Sequence, residues 1–243
     1  MTPDEAIALS FATLSDLPRV GLIDRLHADD PHLLDLARLL LPRADAVRRA
    51  AAQRGIRAVA WNDPSFPSTL LSLPDVPPAL WYRGCLEALD APAVAIVGSR
   101  VASAVAIETS TRLATDLASR GVTVVSGLAR GVDSAAHRGA LQAGRTAAVL
   151  GSGLERVYPA EHEPLAAEIA ASGIVLSEFS PDTPPLPMFF PMRNRLISGL
   201  SRAVVVIGVV LTLDAAVRYN LHHEKPIGPM RDASSIGWKP NLA

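Results

Sequence analysis

Three short segments of this 243-residue sequence are rich in glycine and serine, and two of them also contain arginine; all three residue types bind phosphate groups. Each follows an apolar run, and they are Gly98-Ser99-Arg100, residues 126–131 and Gly151-Ser152-Gly153. Glycine lets the backbone approach an anion closely, and free N–H groups at a helix start donate hydrogen bonds to it. Arg100 and Arg130 can each form paired hydrogen bonds with phosphate oxygens. The pattern therefore predicts a phosphate-binding site built from several loops.

A fourth segment, residues 190–195, adds two arginines and Asn194 where another predicted strand leads into a helix. None of the segments is a Walker A loop, because Gly-Lys-Ser/Thr does not occur in the sequence. None is a G-x-G-x-x-G dinucleotide motif either, because Arg156 stands where the third glycine after Gly151 and Gly153 is required. Spacing alone therefore indicates a phosphate-binding or nucleotide-binding protein and no particular ligand.

Several candidate residues also have simpler structural interpretations. The segment 151–153 equally fits a tight turn, and Asp133 is placed to cap a helix as well as to contact a ligand. His137 taken alone is more typical of a core or surface histidine, and Glu178 ends a strand without an evident carboxylate partner. The segment His222-His223-Glu224 favours a solvated helix end, because adjacent side chains on a helix point apart. We therefore expect no metal, no cofactor and no nucleophile activated by a base.

The elements that must position these loops alternate between strand and helix from residue 93 onward. The predicted strands are residues 93–97, 122–125, 146–150, 174–176 and 203–210, with helices between them. Continuous apolar strands separated by helices indicate a mostly parallel sheet that is covered on both faces. The expected fold is α/β, with a Rossmann-like doubly wound sheet. Ligands of such sheets bind beyond the carboxyl ends of the strands, where the glycine and arginine segments lie.

The segment before this sheet has a different pattern. Residues 1–54 predict a small helical domain, with separate helices over 31–41 and 45–54. Residues 55–84 contain five prolines, which predicts a loop-rich connector with short strands. We assign residues 55–230 to the Rossmann-like core and residues 231–243 to a tail.

Composition excludes several classes of protein. Hydrophobic residues make up 49% and charged residues 19%, so the chain can bury a sizeable core and is not disordered. One cysteine, Cys85, excludes an internal disulfide. The longest apolar run, residues 203–213, is too short for a membrane span, and residues 1–10 lack signal-peptide features. We expect a cytoplasmic protein whose net charge of −1 requires any basic surface to be local.

In their order and spacing, these motifs resemble the DNA-processing protein A family (DprA, also called Smf). The matching segments are residues 97–100, 125–133, 136–137, 139–141, 148–154, 158–159, 177–178 and 190–195. Upstream, residues 61–67, 77–78 and Gly84 are similar to the segment that precedes the family's Rossmann core. The resemblance covers about residues 55–206, and the helical segment before it is similar to the family's small N-terminal domain.

The resemblance implies a function and a set of site residues. Family members bind single-stranded DNA without strong sequence preference, load the recombinase RecA during natural transformation, commonly form homodimers and are not known as enzymes. Carried over by motif, the DNA-phosphate contacts are Gly98, Ser99, Arg100, Gly127, Arg130, Asn194 and Arg195. The resemblance further implies that Gly131, Asp133 and His137 shape the loops.

The sequence also departs from the family pattern. Directly after Val206 the sequence lacks the acid–alanine pair that the family usually has there, and residues 207–216 contain no Ser-Gly element. Arg100 is not followed by Tyr-Gly, and we expect no winged-helix domain after residue 243. Two alternatives therefore stay open at this point. One is a nucleotide-binding or nucleotide-processing protein in which Glu178 and His137 carry the chemistry. The other is a degenerate or truncated family member that no longer binds DNA.

Overall fold

A seven-stranded sheet forms the centre of the protein, as seen in a computed structural model that describes residues 1–12, 17 and 21–208. The strands are β1 (Arg57–Ala60), β2 (Ala79–Gly84), β3 (Ala93–Gly98), β4 (Thr123–Ser126), β5 (Thr146–Val149), β6 (Ile174–Ser177) and β7 (Ala203–Ile207). Their order in the sheet is β1-β2-β6-β5-β4-β3-β7. Strands β3 to β7 are parallel, whereas β1 and β2 are antiparallel additions beside β6. The predicted Rossmann-like, mostly parallel sheet is confirmed.

The strand order creates a crevice at the carboxyl edge of the sheet. The chain runs from β3 through β4 and β5 to β6 in one direction, and β7 then pairs on the other side of β3. Ligands of doubly wound sheets bind at such a reversal of strand order, outside the carboxyl ends of the strands. The crevice between β3 and β7 is therefore the position at which the fold favours a ligand.

Seven helices accompany the sheet in the described residues. They are α1 (Pro3–Leu9), α2 (Leu22–His27), α3 (Pro31–Ala52), α4 (Ala104–Ala118), α5 (Val132–Leu141), α6 (Glu163–Ser172) and α7 (Phe189–Gly199). Successive side chains of a strand point to opposite faces. Accordingly, Ile96 and Val124 pack against α4 and α5, while Ala95 and Val125 belong to the core shared with α6, α7 and the N-terminal helices. Both faces of the sheet are thus covered.

The N-terminal segment differs from the prediction in one respect. Residues 31–52 form the single helix α3, with Pro42 inside it, rather than two helices. Proline removes one backbone hydrogen bond, but the buried residues Leu33, Ala37, Ala44 and Ala51 continue along one side of the helix past the proline. That continuous packing face compensates for the lost bond.

The N-terminal helices pack on the antiparallel end of the sheet. The Trp81 indole N–H donates to the Ser10 hydroxyl over 2.9 Å, and Phe11 packs edge-on against Trp81. Residues Met1–Gly208 form one compact unit, and the predicted boundary at residues 54 and 55 falls in the turn between α3 and β1. No helix among the described residues is long and apolar enough to cross a membrane. The predicted tail 231–243 and His222-His223-Glu224 lie outside the described residues.

Candidate functional site

The loops after β3 and β4 meet at the carboxyl edge of the sheet. Ser99 N–H donates to the Ile207 carbonyl over 3.2 Å, and Val132 N–H donates to the Ser99 carbonyl over 3.1 Å. Gly131 has a φ of +74°, and a Cβ atom there would lie 2.2 Å from the Ser99 oxygen. Only glycine fits this position, because a side chain would meet both backbone strain and a collision. The structure therefore brings Gly98, Ser99 and Gly131 together, beside the crevice.

The carboxylate of Asp133 accepts hydrogen bonds from backbone N–H groups of these loops. It accepts hydrogen bonds from Gly127 N–H over 3.1 Å and from Ala129 N–H over 3.3 Å. Burial raises the pKa of Asp133, while the Arg193 charge and the N–H groups of Ala129, Gly127 and Gly98 act in the opposite direction. Asp133 thus holds the β4–α5 loop in shape, and in this structure the Gly127 N–H is directed at a carboxylate of the protein itself.

Arg193 is a site residue that the sequence reasoning did not select. Its side chain is buried and donates to the Val149 carbonyl at the end of β5. A Cβ atom on Gly127 would lie 1.9 Å from the Arg193 guanidinium, so a larger residue at position 127 would displace that side chain. Burial lowers the pKa of Arg193 to about 10, with Asp133 opposing and Arg100 adding to the shift. At neutral pH the guanidinium therefore stays charged beneath the two loops.

Helical spacing contains the signal that distinguishes Arg193 from its neighbours. Arg193, Leu196, Ile197 and Leu200 follow the three- and four-residue spacing of one helix face, and all four are buried. Asn194 lies outside that face and is exposed, one turn after Phe190. Residues of α7 that look equivalent in the sequence motif thus differ in their access to a ligand.

Arg195 is engaged by two carboxylates. Its guanidinium lies 2.7 Å from Asp75 and donates to Glu178 over 2.5 Å. The Arg195 side chain is 17% exposed and the Glu178 side chain 1% exposed, so this ion pair is largely withdrawn from water. The arrangement ties α7 to the end of β6 and to the β1–β2 connection.

Two exposed arginines and two aromatic rings form a continuous surface, which we name the aromatic–arginine cluster: Arg100, Phe190, Tyr158 and Arg130. The Arg100 guanidinium lies 5.6 Å from the centre of the Phe190 ring, and the Phe190 and Tyr158 ring centres are 5.4 Å apart. Tyr158 is 44% exposed. The sequence analysis did not predict Phe190 and Tyr158 as DNA contacts, because the motifs that contain them do not indicate that the two rings lie side by side.

Arg130 lies at the end of the cluster opposite Arg100. Its guanidinium lies 2.6 Å and 2.5 Å, through two of its nitrogens, from Glu161. Hydrogen bonding to Glu161, that residue's charge and a hydrogen bond to the Tyr158 hydroxyl raise the pKa of Arg130. The guanidinium is therefore held between an aromatic hydroxyl and a carboxylate at the protein surface.

The third glycine-rich loop supports the Phe190 ring. A Cβ atom on Gly151 would lie 2.8 Å from a carbon of that ring, and one on Gly153 would lie 2.2 Å from the carbonyl oxygens of Ser180 and Pro181. The loop therefore acts as a close-packed base for the cluster, in agreement with its interpretation as a tight turn.

His137 and Glu178 are poorly placed for chemistry on a substrate. His137 is fully buried, and its Nδ1 lies 2.7 Å from the Thr146 hydroxyl, which itself donates to the Val124 carbonyl. Thr146 therefore accepts from Nδ1–H, and the ring is the neutral Nδ1–H form. Glu178 is also buried and is held by Arg195. Within the described residues, no group of three side chains is arranged to hold a metal ion.

We expect acidification to destabilise the protein through His137. Burial, together with the charges of Arg193, His162 and Arg138, lowers the pKa of His137 from 6.5 to about 3. Between those values the unfolded chain binds the proton and the folded chain does not, so stability is retained above the upper value and lost as the pH falls. From about pH 7 to about pH 5 the loss is about 2 kcal/mol.

Urea unfolding at the two pH values measures the loss, and imidazole NMR assigns it to His137. If the His137 ring of the folded protein takes up its proton near the ordinary histidine value, the prediction is wrong.

Comparison with known proteins identifies relatives of this chain. The family model for DNA recombination-mediator protein A matches residues 57–221. Protein Smf of Escherichia coli (strain K12) is 46% identical over 148 residues, which are 60% of this chain and 40% of the relative. DNA processing protein DprA of Streptococcus pneumoniae is 43% identical over 145 residues, or 59% of this chain and 51% of the relative. The matched part is about half the length of these relatives or less.

Solved structures agree in fold. The X-ray structure of DNA processing protein A from Streptococcus pneumoniae aligns with a TM-score of 0.67 and 31% identity, covering 85% of this chain and 78% of that one. The structure of DNA processing protein A from Helicobacter pylori aligns with a TM-score of 0.57 and 33% identity, covering 61% of this chain and 68% of that one. The latter structure concerns that protein's single-stranded DNA binding mode.

Proposed function

The chain belongs to the DNA recombination-mediator protein A family, and from this membership we propose that it binds single-stranded DNA at the aromatic–arginine cluster. In this proposal the protein is a cytoplasmic recombination mediator that protects incoming DNA and loads RecA during natural transformation. It acts by binding rather than by turnover, and it works as a homodimer.

The observation that carries the proposal is that the exposed Tyr158 ring and the half-buried Phe190 ring lie next to two exposed guanidiniums. Phe190 and Tyr158 offer faces on which unpaired bases stack, and Arg100 and Arg130 stand on either side of them. Stacking of bases on aromatic side chains tolerates any sequence, and arginine binds the backbone phosphates. Because a duplex keeps its base faces covered, this arrangement favours the single strand.

The phosphate contacts are assigned by their accessibility. Arg100, Arg130 and Asn194 are exposed and Ser99 is half-buried, so a strand can reach all four side chains. Arg130 must first release Glu161, and the Ser99 hydroxyl must release the Val101 carbonyl. Gly98 stays a proposed backbone contact on the family motif alone. A Cβ atom there would lie 2.0 Å from the Ile207 oxygen, so the pairing of β3 with β7 already requires glycine at this position.

The other residues named by the family motif have partners within the protein. The Gly127 N–H donates to Asp133, and Arg195 is paired with Asp75 and Glu178. We therefore assign both residues a role in positioning the site, together with Gly131 and Asp133.

Binding of a labelled oligo(dT) and of the matching duplex, measured by fluorescence anisotropy at two salt concentrations, tests the proposal. Salt-sensitive binding that prefers the single strand is expected, because binding to phosphates releases counterions. A folded sample that binds neither DNA would contradict the proposal and favour a nucleotide-binding or degenerate protein. RecA-dependent strand pairing, with and without the protein, then tests the mediator role, and sedimentation tests the homodimer.

Replacing Arg100 by alanine is expected to weaken binding equally for all single-stranded sequences. One phosphate contact is lost, so the salt slope should flatten by roughly one unit. Anisotropy titrations over a salt series measure both effects. Arg202→Ala is the matched control, since Arg202 is exposed at the amino-terminal edge of the same sheet, next to β7. An equal effect of the two substitutions would place Arg100 outside the contact surface.

A further inference from the structure

Most of the predicted phosphate-binding groups contact other groups of the protein in this structure. Carboxylates of the chain hold three of them: Asp133 holds the Gly127 N–H, Glu178 holds Arg195 and Glu161 holds Arg130. Asp133 and Glu178 are buried, so their contacts belong to the folded core. Glu161 differs, because its side chain is 53% exposed and that of Arg130 is 55% exposed.

We propose that Glu161 is a specificity-determining residue of the DNA site, where its carboxylate occupies the position on Arg130 that a strand phosphate takes over. The proposal rests on the function proposed above. The exchange breaks two hydrogen bonds between Arg130 and Glu161 and forms equivalent bonds to phosphate oxygens. The guanidinium is paired before and after the exchange, and the Glu161 carboxylate is released to water.

The geometry around Arg130 supports such an exchange. Two nitrogens of the guanidinium are directed at one carboxylate oxygen of Glu161, at 2.6 Å and 2.5 Å. A carboxylate in this position resembles a phosphate in charge and in hydrogen bonding. Its own backbone N–H and Arg130 both lower the pKa of Glu161, so the carboxylate is ionised at neutral pH. Exposed ion pairs of this kind contribute little to folding, so the pair can open without loss of the fold.

The exchange distinguishes a strand from a small anion. Glu161 is part of the same chain, so it competes for Arg130 at a high effective concentration. Free phosphate offers one contact and cannot displace it efficiently. A strand also stacks its bases on Phe190 and Tyr158 and contacts Arg100, and these additional contacts outweigh Glu161. The carboxylate therefore keeps the site available for polynucleotides in the presence of abundant small phosphates.

Glu161→Gln is expected to tighten oligo(dT) binding about fivefold at low salt, because a negative charge beside the phosphate is removed. The salt slope should steepen by up to about one unit, because Arg130 becomes available for a full phosphate contact. At constant ionic strength, inorganic phosphate should compete with oligo(dT) on the variant and have little effect on the parent chain. Anisotropy titrations measure all three effects.

Glu155→Gln is the matched control. Glu155 forms an ion pair of 2.5 Å with Arg54, outside the aromatic–arginine cluster, and its replacement removes the same charge. We expect it to change binding less than twofold. In an Arg130→Ala background, Glu161→Gln should lose most of its effect, which separates action through Arg130 from a change in the overall field.

The outcomes separate the two proposals. If the parent chain binds DNA and Glu161→Gln behaves like Glu155→Gln, the role of Glu161 is wrong and the proposed function stands. Weaker binding by Glu161→Gln would make the carboxylate a supporting residue and would also overturn its role as a competitor. If neither the parent nor the variant binds, both proposals are wrong. Binding by the variant alone would support the competition.

Discussion

A Phe190→Leu variant is expected to bind oligo(dT) about tenfold more weakly than the parent chain, because base stacking on one aromatic side chain is worth ~1–3 kcal/mol. Leucine keeps apolar volume above Gly151, which contacts the ring, so the fold should tolerate the change. The lost interaction is the aromatic face, next to Tyr158 and beneath the Arg100 guanidinium. Anisotropy titrations at one low salt concentration measure the loss, and thermal unfolding checks the fold.

Phe190→Tyr is the matched control for this prediction. Tyrosine keeps the aromatic face and should bind nearly as tightly as the parent chain. Because stacking depends on unpaired bases, an abasic oligonucleotide of the same length should lose the difference between the Leu and Tyr variants. If Phe190→Leu binds as tightly as the parent, stacking on this ring is excluded and the phosphate contacts alone must account for binding.

The sheet was predictable because its strands are short apolar runs bounded by glycine. Apolar strands that alternate with helices usually form a parallel sheet covered by helices on both faces. All five predicted strands of the parallel part are present, and their carboxyl ends form the edge that carries Gly98 and Gly127. The last of them was predicted over 203–210 and ends at Ile207, and residues 209–210 lie outside the described residues. The helix α3 was predicted less well, because a proline predicts a break locally. A continuous buried face along the helix, which depends on the neighbouring β1 and α1, outweighs that local preference.

The sequence predicts which loops form the candidate site, but it does not predict which charged side chains of the site pair with each other. The types and spacing of residues bring Ser99, Arg100 and Arg130 to one edge. They do not indicate that Glu161 lies on Arg130, because that pairing joins two loops separated by a helix and a strand. Nor do they separate Arg193 from Arg195 without an assignment of the buried face of α7. Pairing between charged side chains that are distant in the sequence depends on the tertiary fold, and a local sequence pattern does not predict it.

Two buried carboxylates help to explain how a protein of net charge −1 can present a phosphate-binding edge. Asp133 and Glu178 offset the buried or half-buried charges of Arg193 and Arg195, which would otherwise be costly to bury. Arg100 and Arg130 remain at the surface, where they face solvent and the two rings. The charges of Arg193 and Arg195 are therefore balanced inside the protein, and the positive charge that DNA can meet at the cluster is that of Arg100 and, once Glu161 is released, of Arg130.

Arg195→Ala is expected to lower the free energy of unfolding by about 3–5 kcal/mol, because it removes the guanidinium that pairs with the nearly inaccessible Glu178 carboxylate. Urea unfolding at neutral pH measures the loss. Arg54→Ala is the control, since it breaks a more exposed pair with Glu155 and should cost about 1 kcal/mol or less. A cost for Arg195→Ala no larger than that of the control would contradict a structural role.

The same variant tests whether Arg195 contacts DNA. At a temperature where Arg195→Ala is folded, its salt slope for oligo(dT) should equal that of the parent chain, because the guanidinium is already paired with Asp75 and Glu178. A slope flattened by roughly one unit would instead make Arg195 a phosphate contact. Binding of the strand would then have to open a largely buried ion pair, so tight binding would require a rearrangement of α7. The salt slope thus decides between a rigid site and one that DNA remodels.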